Sequence, residues 1–235
     1  MDKIYINIAD LMSALMMVFL FIAIAFMLDV QRSKTEIEHQ KNAMTEIVEI
    51  AEQSRQNLHN DLLKAFTNDL ERWDAEILDD NTVRFNADDV LFQRGKSRLQ
   101  AKFKDILNRF FPRYVTILQS YRADIEAIRI EGHTSSVWSN GGDVATRYLG
   151  NVKLSQQRAL ATLKYCYLLP SVKKQRDWLQ KVLRANGLSF AKRILNATGF
   201  ENAEKSRRVE FKVVTKAEEK LHQILERSQM DGTQL

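Results

Sequence analysis

The chain has 235 residues, a formal net charge of +5 and one cysteine. This length holds one membrane span, a connector and one domain, and it excludes two full domains of typical size. A single cysteine excludes a disulfide framework within the chain. Charge is segregated, with −2 over residues 1–30, −6 over 31–80 and +13 over 81–235. The basic C-terminal part suits an anionic partner, which composition leaves open among nucleic acid, a lipid surface and the cell-wall polymer.

Residues 5–28 are an apolar run without Lys, Arg or Glu, and they predict a transmembrane helix over residues 1–29. At about 1.5 Å per residue, such a run crosses about 30 Å of hydrocarbon. A secretory signal peptide is the alternative, because Ala23-Ile24-Ala25 resembles a cleavage site. The length of the run and the acidic residue within it oppose that alternative.

Asp10 is the residue of this span that requires an explanation. A carboxylate at the centre of a membrane helix costs about 2.5–3.5 kcal/mol and is kept mainly where it faces protein or water. On a helix, Asn7, Asp10 and Ser13 share one side and form a polar stripe. A desolvated carboxylate on this stripe is suited to binding and releasing protons. Alternatively, Asp10 lies at a frayed helix start among the lipid headgroups.

Residues 9–20 resemble the membrane helix of stator-type B subunits such as that of the bacterial flagellar motor. The family pattern is Ala-Asp-aromatic-hydrophobic-Thr-Ala-Leu-Met, here with Leu11 for the aromatic residue and Ser13 for threonine. The resemblance implies that Asp10 carries protons and that a homodimer lies inside a ring of membrane A subunits, five A to two B. It also implies a cytoplasmic N-terminus, whereas the Lys and Arg residues flanking the span favour a cytoplasmic C-terminus.

Residues 30–80 predict a mostly helical connector, since Pro and Gly are absent from residues 30–78. Apolar residues recur every seven positions, with a partial second row: Ile37, Met44, Ala51, Leu58 and Ala65, then Val48 and Leu62. Such a seam pairs with an identical helix in a dimeric stalk, or it folds back on its own domain. The sequence favours the dimeric stalk.

Residues 81–235 predict an α+β sandwich with helices packed on one face of a mixed sheet. Strands are expected at residues 82–85, 125–131, 193–198 and 207–214. Helices are expected at 100–118, bent or interrupted near Pro112, at 155–168 with Ser155 as N-cap, at 172–185 and at 217–226. Asn186-Gly187 is expected to close the third of these helices.

Four motifs of this domain resemble those of the OmpA family, whose domains bind peptidoglycan. They are residues 91–99, Gly132-His133-Thr134, residues 154–159 and residues 206–210. The resemblance implies that Arg158 holds the carboxylate in the zwitterionic centre of diaminopimelate, for which a guanidinium fork is suited. The peptidoglycan-binding residues it implies are Arg158, Asn151, Leu154, Thr134 and Ser135.

Two positions depart from the OmpA pattern. Ser135 stands where the family has an aspartate, and Gly150 replaces a tyrosine, with Tyr148 close by. Without the aspartate the ligand's amine lacks its partner, so binding is weakened, shifted to Asp143 or lost. His133 is interpreted as a packing residue, because no second His or Cys lies at metal-ligand spacing.

The sequence contains no nucleophile–base–acid set and no Gly-rich phosphate loop, so we expect no enzymatic activity, metal or cofactor. The short segment before Asp10 and the departure at Ser135 fit the B components of Zorya anti-phage defence systems better than flagellar ones. The resulting hypothesis is a peptidoglycan-anchored, proton-driven B subunit in the bacterial inner membrane with a periplasmic C-terminal domain. The alternatives are a flagellar stator subunit, a passive membrane-to-wall anchor and a cytoplasmic nucleic-acid binder.

Overall fold

The computed structural model describes residues 2–86, 88–93, 95–137 and 142–217, with the side chains of residues 2–11, 40, 43, 88 and 89 outside the description. The chain forms two compact units, Met1–Ile50 and Ala51–Leu235. One helix, α1 (Asp2–Trp73), contributes residues to both units.

The first unit consists of α1 residues over its described part. It contains the one helical stretch among the described residues that is long and apolar enough to cross a membrane, with a mean hydropathy of 2.4. None of this stretch is buried within the chain, and the Phe21 and Phe26 side chains are 67 % and 70 % exposed. An uncovered apolar helix of this kind is suited to lipid or to partner helices. The predicted apolar span is confirmed as a helix.

The second unit begins at Ala51, so the last part of α1 belongs to it. Leu58, Leu62 and Phe66 of α1 are buried in the core of this unit. Two positions of the predicted heptad rows, Leu58 and Leu62, therefore pack within the chain, as in the alternative where the connector folds onto its own domain. Pairing of two copies along the earlier part of α1 stays a prediction. The boundary predicted at residues 80 and 81 falls after the start of this unit.

The second unit contains a five-stranded mixed sheet in the order β1-β2-β5-β3-β4. Strands β3 and β4 are parallel, and the other neighbours are antiparallel. The strands are β1 (Ala75–Ile77), β2 (Val83–Phe85), β3 (Ile125–Gly132), β4 (Leu183–Gly187) and β5 (Val209–Thr215). The further helices are α2 (Asp88–Leu91), α3 (Ala101–Ser120), α4 (Val144–Leu168), α5 (Arg176–Val182), which a 3-10 turn at Pro170–Gln175 precedes, and α6 (Ala203–Ser206). The predicted fold class is confirmed.

Aromatic side chains fill the core between the sheet and its helices. Phe211 of β5 lies 5.1 Å from the ring of Phe110 on α3 and 5.9 Å from that of Phe85 on β2. Phe66 of α1 lies 5.2 Å from the same Phe110 ring. Each such ring removes 150–250 Å² from water, so this cluster joins α1, α3 and the sheet into one core.

The start predicted for one helix is wrong, and another helix lacks an interruption that the sequence allowed. Helix α3 continues through Pro112, whose neighbours Phe110 and Phe111 are fully buried and hold the helix on the core despite the bond that proline removes. Helix α4 begins at Val144, where Asp143 is the N-cap and accepts a 2.8 Å hydrogen bond from the Thr146 amide. Ser155 therefore lies within α4 and does not cap it.

Two predicted elements near the end of the chain also differ from the structure. Residues 183–187, expected to end a helix, form β4, because parallel pairing with β3 outweighs their helix propensity. Residues 193–198 contain no strand beyond an isolated bridge between Leu195 and Glu201. Of the helix predicted at 217–226, residues 218–226 lie outside the described residues.

A row of four charged side chains crosses the sheet on one face. Glu76, Arg84, Glu210 and Glu131 are successive register partners on β1, β2, β5 and β3. The Arg84 Nε donates to Glu210 Oε1 over 2.8 Å, and its Nη1 donates to Glu76 Oε1 over 3.0 Å. The row places the buried carboxylate of Glu210 at the centre of an ion network.

Two further cationic or basic groups reach Glu210. Arg208 Nε donates to its Oε1 over 2.7 Å, and His133 Nε2 lies 3.2 Å from its Oε2. Burial alone would raise the pKa of Glu210, but His133 and Arg208 outweigh burial and hold this pKa well below its usual range. Glu131, 3.7 Å from His133 Nε2, also has a lowered pKa, because His133 and Lys192 outweigh its burial.

The substitution Glu210→Gln should lower the free energy of unfolding at pH 7 by about 3–5 kcal/mol, because Arg208 is left buried without its counter-charge. The stabilisation from a lowered carboxyl pKa is present above the unfolded value of about 4.3 and is lost as pH falls through the folded value. The deficit of the variant should therefore shrink between pH 7 and about pH 3. Denaturant unfolding of the full chain in detergent at both pH values measures this.

Glu126→Gln is the matched control for this prediction, because Glu126 lies on the same strand β3 in an exposed pair with Arg184. Loss of the Glu126–Arg184 pair should change the free energy of unfolding by about 1 kcal/mol or less. Equal effects of the two substitutions at pH 7 would contradict the role assigned to Glu210.

Candidate functional site

Helix α4 presents one buried polar face to the ends of β3 and β4. The buried residues of this face recur at helical spacing and are Asn151, Ser155, Arg158, Ala159, Thr162 and Cys166. Four of them are polar, and three of these, Asn151, Ser155 and Arg158, lie within two turns of one another. The sequence-predicted residues Asn151 and Arg158 are therefore on the same side of one helix.

Two glycines allow α4 to approach the sheet closely. Gly132 at the end of β3 and Gly187 at the end of β4 are parallel register partners. A Cβ on Gly132 would lie 2.4 Å from the carbonyl oxygen of Ser155, and a Cβ on Gly187 would lie 2.3 Å from the amide nitrogen of Gln156. Any larger residue at either position would push the helix backbone away, since interiors are close-packed.

Hydrogen bonds hold α4 at this contact. Ser155 Oγ accepts a 3.0 Å bond from the Ser189 amide and donates to the Val152 carbonyl over 2.9 Å. Gln156 Oε1 accepts a 2.7 Å bond from the Gly187 amide, and its Nε2 donates to the Ala185 carbonyl over 3.3 Å. The 154–159 motif thus positions the helix on the sheet as well as carrying Arg158.

Arg158 joins α4 to the 91–99 motif. Its side chain is 2 % exposed, its Nε donates to the Lys96 carbonyl over 3.1 Å, and its guanidinium lies 4.8 Å from the centre of the Phe92 ring. A guanidinium stacked on an aromatic face in this way has a fixed plane. Two motifs that the sequence separates by more than 50 residues therefore meet at this side chain.

The Gly132-His133-Thr134 motif continues into the same region. Thr134 and Ser135 are buried, and the Thr134 amide donates a 2.8 Å bond to the Ser189 carbonyl. Within the part of the chain that the structure describes, Thr134 Oγ1, Asn151 Nδ2 and Ser189 Oγ have no hydrogen-bond partner. Nearly all buried polar groups in proteins have a hydrogen-bond partner, so a polar ligand is a natural partner for these three atoms. Ser189 has no motif that could have marked it in the sequence.

The other predicted positions contribute less. Leu154 is half-buried, and Tyr148 is 47 % exposed with its ring 5.7 Å from that of Phe190. Asp143 is exposed and caps α4, and hydrogen bonding to Thr146 lowers its pKa. Its carboxylate is therefore engaged at the helix start.

Glu131, His133 and Glu210 bring together three groups of metal-ligand type whose ligand atoms lie within 4.8 Å of one another. Arg84 and Arg208 already neutralise Glu210, so we interpret the cluster as the ion network of the sheet. Sequence spacing did not reveal it, because Glu131 and Glu210 meet only through the β3–β5 register.

The predicted polar stripe of the span lies on α1, whose backbone is helical at Asn7, Asp10 and Ser13. Ser13 is exposed, and the side chains of Asn7 and Asp10 lie outside the described part. Proton transport by Asp10 stays a prediction.

A comparison with protein families agrees with the resemblance of the C-terminal domain. Residues 91–208 match the OmpA family. A solved structure of a putative MotB-like protein from Desulfovibrio vulgaris is 22 % identical, covers 74 % of this chain and 99 % of that chain, and has a TM-score of 0.49. The structure of the cell wall anchor of the T6SS from Pseudomonas aeruginosa is 20 % identical, covers 66 % of this chain and 97 % of that chain, and has a TM-score of 0.47.

A curated relative is similar over almost the full length. The chain is 41 % identical over 224 residues to the Zorya protein ZorB of Escherichia coli. The matched region covers 94 % of this chain and 92 % of that protein. This similarity extends across both compact units. The chain therefore belongs to the family of the Zorya protein ZorB, and its residues 91–208 belong to the OmpA family.

Proposed function

We propose that the chain is a peptidoglycan-anchored B subunit of a proton-driven motor in the bacterial inner membrane, acting in Zorya anti-phage defence. The observation that carries this proposal is the 41 % identity to ZorB across both units. The N-terminus lies in the cytoplasm and the C-terminal domain in the periplasm, because a wall-binding domain meets its ligand only outside the inner membrane. This family membership favours defence over flagellar motility.

The wall-binding part of the proposal is supported by the polar face of α4. A guanidinium fork suits a carboxylate of the wall peptide. The Thr134 hydroxyl and the Asn151 amide, which have no partner among the described residues, offer further donors to a ligand. The Phe92 ring and the Lys96 carbonyl fix the Arg158 guanidinium before a ligand arrives, which reduces the entropy lost on binding. The ligand is the zwitterionic centre of diaminopimelate in peptidoglycan.

The substitution Arg158→Ala should reduce retention of the full chain on purified peptidoglycan sacculi roughly tenfold or more, because a charge-assisted pair is lost. Arg158→Lys should also bind weakly, since lysine keeps the charge but lacks the fork. Co-sedimentation with sacculi in detergent measures both, with thermal unfolding as the check on folding.

Arg147→Ala is the control for this test, because Arg147 is an exposed arginine on the same helix. It removes the same charge and should leave sacculus binding unchanged. Retention of Arg158→Ala equal to that of Arg147→Ala would remove Arg158 from the site.

The membrane part of the proposal concerns Asp10. Two copies of the chain pair inside a ring of five ZorA-type or MotA-type A subunits, and protons pass by way of Asp10 on the stripe with Asn7 and Ser13. The apolar surface of α1, which the chain itself leaves uncovered, supports a position among partner helices and lipid. A carboxylate at that depth is most easily tolerated where it has such a task.

The substitution Asp10→Asn should abolish phage protection in cells that also produce the A subunit, because an amide cannot bind and release a proton as a carboxylate does. Asp29→Asn, at an exposed acid further along α1, should protect as the wild type does. Plaquing efficiency, with immunoblots for protein level, measures both. Full protection by Asp10→Asn would instead support a passive membrane-to-wall anchor.

A further inference from the structure

The proposed wall-binding site has a clear excess of donors. Arg158 is a cation, and Thr134 and Asn151 contribute a hydroxyl and an amide. These groups suit the carboxylate of a zwitterionic ligand but offer nothing negative to its ammonium group. Ser135, which is buried beside Thr134, has a neutral side chain. A second, acidic group is therefore needed if the ligand is bound through both of its charges.

A carboxylate from a distant part of the chain reaches this segment. Glu201 Oε1 accepts a 3.0 Å bond from the amide of Ser136, the residue directly after Ser135, and Glu201 Oε2 lies 3.3 Å from the same amide. The Ser136 hydroxyl also donates to Glu201 Oε2. A carboxylate has about four acceptor positions, so three contacts from one residue leave it able to accept from a ligand. Glu201 is half-buried and thus accessible from the surface.

The segment that carries Glu201 is held in one conformation. Asn196 Oδ1 accepts bonds from the amides of Thr198 and Phe200, each over 3.0 Å, and the Asn196 amide donates to the Phe200 carbonyl over 2.8 Å. The Asn202 amide donates to the Ile194 carbonyl over 2.7 Å. These bonds close the turn on both sides of Glu201, so its carboxylate is positioned without a ligand.

Other acids close in sequence to the site residues have different partners. Asp143 caps α4 through the Thr146 amide. Glu131 and Glu210 lie in the ion network with His133, and Glu210 also pairs with Arg84 and Arg208. Glu201 is the described carboxylate in direct contact with the 134–136 segment.

We infer that Glu201 is a ligand-binding residue that holds the ammonium group of the zwitterionic wall peptide, opposite the carboxylate that Arg158 holds. The inference rests on the proposed binding of peptidoglycan and adds to it a second charged contact from the 194–202 turn. It makes the site selective for a free amine next to a carboxylate.

The test uses the full chain in detergent and a soluble disaccharide-tripeptide fragment of peptidoglycan that ends in meso-diaminopimelate. This fragment has one free amine, which acetylation neutralises. Wild type should bind the native fragment roughly tenfold or more tightly than the acetylated one, because a charge-assisted contact is lost. Equal affinity for the two fragments would overturn the assignment of Glu201, and this comparison requires no variant to fold.

The variant Glu201→Gln keeps the shape and an acceptor for Ser136 but removes the charge. It should bind the native fragment as weakly as wild type binds the acetylated one, and acetylation should have no further effect on it. Glu204→Gln, at an exposed glutamate in the following helix α6, should bind as wild type does. Thermal unfolding checks that both variants are folded.

The outcomes separate this inference from the proposed function. If the wild-type protein does not bind sacculi, both the proposed wall binding and the role of Glu201 are overturned. Sacculus binding that depends on Arg158 but is unchanged in Glu201→Gln overturns the role of Glu201 alone. Loss of amine discrimination in Glu201→Gln, with Glu204→Gln unchanged, supports it.

Discussion

The close contact between α4 and the paired glycines Gly132 and Gly187 determines the geometry of the C-terminal unit. Because neither position has room for a Cβ, the backbone of α4 at Ser155 and Gln156 lies directly on the ends of β3 and β4. Asn151 lies one turn before this contact, and Arg158 lies almost one turn after it. The strand that ends at Gly132 continues into Thr134 and Ser135, so the contact brings the helix residues and the loop residues to one place.

The same region illustrates how buried charge is arranged by strand register. Glu210 on β5 is surrounded by Arg84 of β2 and by Arg208 and His133, which directly precede β5 and follow β3. Buried ion groups of this kind are costly to break but add little net stability by themselves. The acids and arginines of this network cancel each other, so the +13 charge of residues 81–235 comes from the other charged residues of the domain. In the proposed function, wall recognition depends on a few positioned groups and not on this overall charge.

Local sequence patterns predicted the span and the fold class, because these depend on an apolar run and on the order of strands and helices. The resemblance to the OmpA family singled out Arg158, Asn151 and Thr134, whose roles in binding stay predictions. Local patterns did not predict the start of α4, where Val144 and Leu149 are exposed and give no amphipathic signal. They also misassigned β4, whose residues form a strand only because β3 is beside them. Ser189 and Glu201 were missed for the same reason, since their contacts with Ser155 and Ser136 join segments that are distant in the sequence.

The early and the late residues of the α1 helix have different surroundings. Its early residues leave an apolar surface uncovered, and its last residues, among them Leu62 and Phe66, are fully buried in the core of the second unit. Part of the heptad pattern, at Leu58 and Leu62, thus packs within the chain, and sequence spacing alone does not distinguish it from the earlier part.

Wall binding, on this view, requires α4 to be held directly against β3 and β4. The most direct test is the substitution Gly132→Ala in the full chain, which removes none of the proposed ligand-binding side chains. The added methyl group should lower the free energy of unfolding by about 1–3 kcal/mol and reduce sacculus retention, because it displaces Ser155 and with it Arg158 and Asn151. Sacculus binding and thermal stability equal to those of the wild type would contradict the account.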